Sequence, residues 1–444
     1  MAKPVWLVLF AIVFAIAIWI RMANPAPPVE SWDEQFYIHY TSEILDAPRD
    51  APRDFVARYN ATPGVWTYPI PLRIGYFYAV AAIAAVCHVT PAQAGIALST
   101  AASILQLAML AILGLRFFNR WTVLIALALL AVSPQDLAMA RRTWVDGVSG
   151  CVAMIILWLC VEISIRPRAA KLWFAALWIC SFWFLLLKET GAVFFGLCIL
   201  GLGIQRWRQH RTWKPVITIF AGAACAAICS FVVMTLLCGG VSAALLTVRH
   251  NAQAAPGNSY GMTFQSGPWY SFPIGLWVLS PLAAIGCAIA LAALLLPGGK
   301  LCTTLSMTAE QHNILTGLAG LTILVIIAAT LPPALKNLRY ISFIFAPIYL
   351  MAAVGLTYAL TCLRNIVGLR ARPAVTGCAA LLLVYFSWSD YSLYRDICID
   401  HPLLDLDIRQ LVGSRFGEAP FGKHVDLPVV NLDLSSRIQD KATP

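Results

Sequence analysis

Four short clusters of ionisable and aromatic residues interrupt a chain that is otherwise strongly apolar. The first is Trp32-Asp33-Glu34-Gln35-Phe36-Tyr37. Two adjacent carboxylates flanked by aromatics suit a general base held at a membrane surface, with the rings at headgroup level. A solvated acidic loop with an aromatic belt is the plainer alternative. The second cluster, Arg141-Arg142-Thr143-Trp144-Val145-Asp146, sets Arg142 and Asp146 four apart, on one face if helical. Guanidinium forks match phosphate oxygens, so an anionic ligand would explain the two arginines; a structural Arg–Asp pair at a helix end would do so as well. The third, Lys188-Glu189-Thr190, sits between two very apolar stretches. Ionisable groups at membrane depth are rare and functional by default, whereas a solvated turn needs no ligand. The fourth, Lys336-Asn337-Leu338-Arg339-Tyr340, follows Pro332-Pro333. Two cations and a tyrosine at a helix start suit a lipid phosphate, or simple interfacial anchoring.

The elements that must position these clusters are membrane helices. The chain has 444 residues, of which 60% are apolar and 12% charged, with a mean hydropathy of +0.76. A soluble protein spends about a quarter of its residues on charge, so a water-facing surface of this size is excluded. The apolar residues fall in runs of about 16 to 25, the length that crosses roughly 30 Å of hydrocarbon as helix. Strict alternation of apolar and polar residues is missing, which excludes a membrane β-barrel. The expected fold is an all-α polytopic bundle of roughly 11–12 transmembrane helices, with interfacial helices in the first external loop. Spans are expected at 5–20, 92–115, 121–139, 147–165, 171–187, 190–205, 215–238, 273–296, 313–331, 340–362 and 374–389. Residues 5–20 read as an uncleaved anchor. The stretch 68–90 holds a short apolar run broken by Pro69, Pro71 and Arg73, and fits an interfacial or re-entrant helix.

The net charge of +10 is distributed by topology. Four short connections are basic: Arg116/Arg120, Arg166/Arg168/Lys171, Arg206/Arg208/Arg211/Lys214 and Arg364/Arg370/Arg372. With these spans all four fall on one side, the cytoplasmic side by the positive-inside rule. A nucleic-acid interface would instead gather its cations between aromatic platforms on one face. The four clusters and the loop 21–90 then fall on the other, external side. Residues 1–389 form the membrane domain and 390–444 a small external tail. The thirteen cysteines contain no CxxC pair and sit mostly in apolar runs, as small buried residues do. Asn60-Ala61-Thr62 is a glycosylation sequon that matters only in a secretory-pathway host.

Taken in order, the clusters resemble the GT-C superfamily of membrane glycosyltransferases, which includes the protein O-mannosyltransferases and the lipid A aminoarabinose transferases. The resemblance runs through residues 5–360. Asp33-Glu34-Gln35-Phe36-Tyr37 is similar to the family's Asp-Glu-x-x-Tyr motif, and Tyr68-Pro69-Ile70-Pro71-Leu72 to its Pro-Pro-Leu element. Arg141/Arg142 through Asp146 resembles Arg-x-x-x-x-Asp; Lys188-Glu189-Thr190-Gly191 resembles Lys-x-Thr-Gly; and Arg339-Tyr340 resembles a late Arg-Tyr. Ile70 and Gly147 depart from the pattern, standing where prolines are common.

The resemblance implies a GT-C-like bundle and a sugar donor linked to polyprenyl phosphate. Transfer would go to a glycan, lipid or protein acceptor, by a hexosyl or pentosyl transferase working with inversion. Membrane lipids are partners, nucleic acid is not, and no nucleotide fold is needed. It also implies the roles. Asp33 would orient or deprotonate the acceptor, with Glu34 and Asp146 supporting it or holding a divalent metal. Arg141, Arg142, Lys188, Lys336 and Arg339 would bind the donor phosphate, and Trp32, Tyr37, Tyr68 and Tyr340 would contact sugar or acceptor. The expected location is a bacterial inner membrane with the site facing the periplasm. A transporter or flippase of a lipid-linked anion would share the cationic, aromatic-rimmed site, but should show two similar halves; a non-catalytic assembly subunit is the third reading.

Overall fold

The computed structural model describes residues 3–23, 31–66, 69–166, 171–254, 265–296, 300–332, 336–400, 408 and 411–412, and every element among them is helical. Helix α1 (Lys3–Ala23) leads to a group of α2 (Trp32–Asp46), α3 (Ala51–Ala61), a 3-10 turn (Pro63–Val65) and α4 (Ile74–Cys87). The bundle continues through α5 (Pro91–Phe117), α6 (Arg120–Ala131), α7 (Pro134–Ala140), α8 (Val145–Ile165), α9 (Lys171–Leu187), α10 (Gly191–His210) and α11 (Lys214–Leu237). After α12 (Val241–Ala254) come α13 (Ser271–Leu279), α14 (Pro281–Leu295), α15 (Lys300–Leu305) and α16 (Ala309–Thr330). A 3-10 segment, Leu338–Ile344, opens α17 (Phe345–Ile366), and α18 (Arg372–Arg395) closes the described bundle. Of the tail expected at 390–444, residues 390–395 complete α18, Asp396–Asp400 add a π-helical turn, and Ile408, Leu411 and Val412 are buried. The rest lies outside the described residues.

Seven described helices are long and apolar enough to cross a bilayer, eight if α6 and α7 count as one bent span; α4, α9 and α14 are shorter apolar helices. Two expected spans are broken rather than continuous. The span expected at 121–139 bends by 59° between α6 and α7, and the one at 273–296 divides at Ser280 into α13 and α14. Pro134 and Pro281 explain both breaks, since a proline has no N–H to give the preceding turn and its ring clashes with that turn's carbonyl.

The ends of the helices carry the capping chemistry that starts them. Ser31 and Glu34 form a capping box on α2, and Thr90 with Gln93 does the same for α5, where Pro91 fits the first turn. In the middle of the bundle α14 and α17 cross with their backbones touching. A side chain on Gly355 would collide with the Gly286 carbonyl, and one on Gly286 with that of Ala352. Small residues at a crossing let membrane helices gain packing contacts that lipid tails cannot replace.

Helix α4 begins beside Glu189, which Arg73 binds, and ends just before α5, whose Ala92 carbonyl accepts from Thr143. Both ends therefore lie at the end of the bundle that holds the polar clusters, and Ile74–Cys87 is a short apolar helix of 14 residues. Asn60, in the sequon, uses its side chain internally, donating to the Ala243 carbonyl and accepting from Thr247.

Candidate functional site

Asp33 and Glu34 stand in the first turn of α2, and their carboxylates serve different neighbours. Glu34 is buried. Its Oε2 accepts from the Ser31 backbone N–H at 2.8 Å and pairs with Arg142 Nη1 at 2.6 Å, while Oε1 accepts from the Thr143 N–H at 2.9 Å. It thus joins the start of α2 to the turn between α7 and α8. Asp33 Oδ2 pairs with Arg339 Nη2 at 2.7 Å, and 25% of the Asp33 side chain is exposed against 5% of Arg339.

From Arg339 the charges continue inward. Arg339 Nη1 lies 3.9 Å from Asp146 Oδ2, and Asp146 Oδ1 holds Lys188 Nζ at 2.5 Å. Asp146 occupies the first turn of α8, where the helix's free N–H groups favour a negative charge. Lys188 lies in the turn between α9 and α10, with the rings of Tyr340 and Phe343 5.0 and 5.8 Å from its ammonium. Arg339 is brought in by the 3-10 segment, whose start is capped by Asn337 through the Arg339 N–H. The row Asp33–Arg339–Asp146–Lys188 thus draws on four separate stretches of chain. Trp144 lies under it, with the guanidinium carbons of Arg142 and Arg339 4.8 and 4.4 Å from its ring centre and its Nε1 donating to Ser31 Oγ at 2.9 Å.

A second group adjoins the first at Glu189, the neighbour of Lys188. Arg73 makes a two-pronged pair with Glu189 (3.1 and 2.6 Å) and also donates to the Tyr37 hydroxyl. Burial alone would lower the affinity of the Arg73 guanidinium for its proton, but Glu189 outweighs it, and the cation is held more firmly than usual. Burial pushes the Tyr37 phenol well above its ordinary pKa, so Tyr37 stays neutral. Beside this group an apolar groove of about 490 Å³ runs between α4, α9 and α11, lined by Ile74, Tyr78, Phe182, Trp183, Leu186 and Leu237 among others.

Asp33, Glu34, Asp146, Arg142, Lys188, Arg339 and Tyr340 are thus brought together, with Tyr37 one step away through Arg73. Arg141 and Lys336 are not. Arg141 turns toward α5, where Nη1 is 3.5 Å from Thr100 Oγ1. The Lys336 ammonium donates to the carbonyls of Thr330 and Pro332, both at 2.6 Å, and so closes the end of α16 rather than facing the cluster. The Trp32 side chain and the whole of Tyr68 lie outside the described residues. Sequence reasoning passed over Arg73, although a lone cation opening an apolar stretch was its signal, and it gave Trp144 no role. Among the described residues, no three or more His, Cys, Asp or Glu side chains are grouped to hold a metal ion.

No protein-family model matches the sequence, and no curated protein matches it. Solved structures do match in fold. The archaeal oligosaccharyltransferase AglB from Archaeoglobus fulgidus, in complex with an inhibitory peptide and a dolichol-phosphate, gives a TM-score of 0.53 at 12% identity, over 89% of this chain and 56% of its own. A structure of an Archaeoglobus fulgidus oligosaccharyltransferase tethered with an acceptor peptide gives 0.52 at 12% identity, over 89% of this chain and 55% of its own. ArnT from Cupriavidus metallidurans in the apo state aligns over 90% of this chain and 74% of its own at 16% identity, with a TM-score of 0.48. At 12% identity these likenesses are of fold alone, and the polytopic helical fold is one this chain shares with the oligosaccharyltransferase AglB. The chain spans a little over half the length of AglB.

Proposed function

We propose that this protein transfers a sugar from a polyprenyl-phosphate donor to an acceptor hydroxyl, at the end of the bundle opposite the basic loops. The observation that carries the reading is the row Asp33–Arg339–Asp146–Lys188, in which the most exposed carboxylate meets the chain of buried cations. The acceptor oxygen bonds to the anomeric carbon while the bond from that carbon to the phosphate oxygen breaks. Asp33 takes the hydroxyl proton, and the electron pair leaves on the polyprenyl phosphate, whose charge grows from one to two. Arg339 and Lys188 stand where that added charge needs stabilising, and such preorganised charge is usually the largest catalytic term. Asp146 keeps Lys188 and Arg339 apart and aimed. The polyprenyl chain is accommodated by the apolar groove, which begins at Ile74, next to Arg73.

Arg339 pairs with Asp33 through Nη2. An incoming phosphate competes for the same guanidinium and uncovers the carboxylate, so donor binds before acceptor. A dolichol-phosphate bound to AglB supports the lipid-phosphate part of this reading. A transport path through the two broken spans is less favoured, because both breaks are closed by side chains: Arg21 with Asp136 at one, Ser280 with Asp390 at the other.

The test is transfer of labelled sugar from its polyprenyl phosphate by purified protein in lipid nanodiscs. Removing a general base costs about 100- to 10,000-fold, so Asp33→Asn should lose at least that much while still binding polyprenyl phosphate. Undiminished transfer by that variant would overturn the role of Asp33.

A further inference from the structure

Trp144 is a fully buried aromatic that both guanidiniums of the cluster approach. The two arginines carry different loads. Arg142 is committed to Glu34 at the joint of α2 with the α7–α8 turn, while Arg339 reaches the exposed Asp33 and lies near Asp146. Two like charges drawn to one indole need outside restraint, and each has it in a carboxylate of the Asp33-Glu34 pair. The indole in turn is pinned by its Nε1 bond to Ser31, the residue that caps α2. One ring therefore ties the placement of Arg339, which arrives on a 3-10 segment 306 positions away in sequence from Asp33, to the start of the helix bearing that carboxylate.

We propose that Trp144 is a positioning residue that acts through Arg339. Its π face holds the guanidinium at the height where it can pass from Asp33 to the incoming phosphate and stay on it as the phosphate's charge grows. A cation held on a ring in a desolvated site is stabilised electrostatically without being neutralised. A carboxylate in the same place would cancel the charge the phosphate needs. Arg339 thus stays a full cation that can change partners, and Trp144 gives it a fixed seat while it does so.

The proposal rests on the lipid-phosphate reading of the site, but its test need not. The probe is polyprenyl phosphate itself, titrated into the full chain in nanodiscs, with sugar transfer measured in parallel. Trp144→Leu removes the ring face, while Trp144→Phe keeps it and loses the bond to Ser31. A series of fluorinated tryptophans placed at position 144 keeps shape and Nε1–H while draining the π face, so folding is preserved. Polyprenyl phosphate binding is expected to weaken stepwise along the fluorinated series. It should fall about 30-fold in Trp144→Leu, the scale of one desolvated cation–π contact, with Trp144→Phe within about threefold of wild type. The transfer kcat should fall in step while the KM for the donor moves little, because the contact matters most to the doubly charged leaving group. Binding that stays flat across the fluorinated series, or Trp144→Phe as defective as Trp144→Leu, overturns the proposal. Stepwise loss of phosphate binding in a protein that transfers no sugar would leave Trp144 its role and refute the transferase reading instead.

Discussion

Asp33 and Glu34 are adjacent in sequence, yet within one turn of α2 their carboxylates part company. Glu34 spends both oxygens on Ser31, Arg142 and Thr143 and is 4% exposed, while Asp33 has Arg339 and an open side. Removing one member of a buried ion pair leaves the other charge uncompensated, at a cost of about 3–5 kcal/mol. Glu34→Ala is therefore expected to lower the thermal unfolding midpoint in detergent clearly, while Asp33→Ala leaves it near wild type and removes transfer. Equal midpoints for the two variants would contradict this division. The sequence marks both acids and the cations they meet, because charge in an apolar chain is conspicuous. It does not separate a joint from a reacting group, since that depends on partners more than a hundred positions away. Lys336 shows the same limit: its type and spacing match a phosphate ligand, but the nearest acceptors are two free carbonyls at the end of its own preceding helix.

At the scale of elements, the broken span α6–α7 decides where Arg142 and Asp146 stand. Arg21, at the end of α1 and fully buried, closes the break from the side. It donates to the carbonyls of Leu130 (3.1 Å), which also accepts from the Ser133 N–H, and Ala131 (2.9 Å), and to Asp136 in the first turn of α7 (2.5 Å). Ser103 of α5 completes the group, with its hydroxyl 2.6 Å from Arg21 Nε. The sequence reading expects one continuous span at 121–139 and so misses the break that Pro134 signals, and the staple carries no local signal, because Arg21 and Asp136 lie 115 residues apart. Either single change, Arg21→Met or Asp136→Leu, should destabilise by about 3–5 kcal/mol, and the double variant should recover part of that because no charge is left unpaired. Additive losses in a double-mutant cycle of thermal unfolding would mean that the two residues do not act as a pair. If the staple sets the angle of α7, the recovered double variant should still transfer sugar more slowly than wild type, since apolar contacts do not cap the Leu130 and Ala131 carbonyls.

For the whole molecule, contacts between helix ends sort the chain into two sides. At one end Trp6 donates to the Arg120 carbonyl, Arg116 and Arg166 share Glu162, and Gln209 donates to the Ser164 carbonyl. These contacts gather the start of α1 with three of the four basic connections, and Thr122, near the start of α6, is hydrogen-bonded to Thr357 just past the middle of α17, so that helix runs on toward the same end with the fourth. At the other end are Glu34 on Arg142, Thr143 on Ala92 and Arg73 on Glu189. Because α1 starts at the basic end and α2 lies at the opposite one, a membrane crossed by α1 is expected to separate the charged row from the basic loops. Basic loops stay in the cytoplasm, so the row should face outside. An enzyme reporter that works only outside the cytoplasm, fused after residue 45, is then expected to be active, and the same reporter fused after Arg208 to be silent. The two fusions bear on different parts of the argument. Activity at both positions would break the pairing of ends, while silence at 45 with activity at 208 would keep the pairing and invert the whole protein, moving Asp33 and its acceptor to the cytoplasmic face.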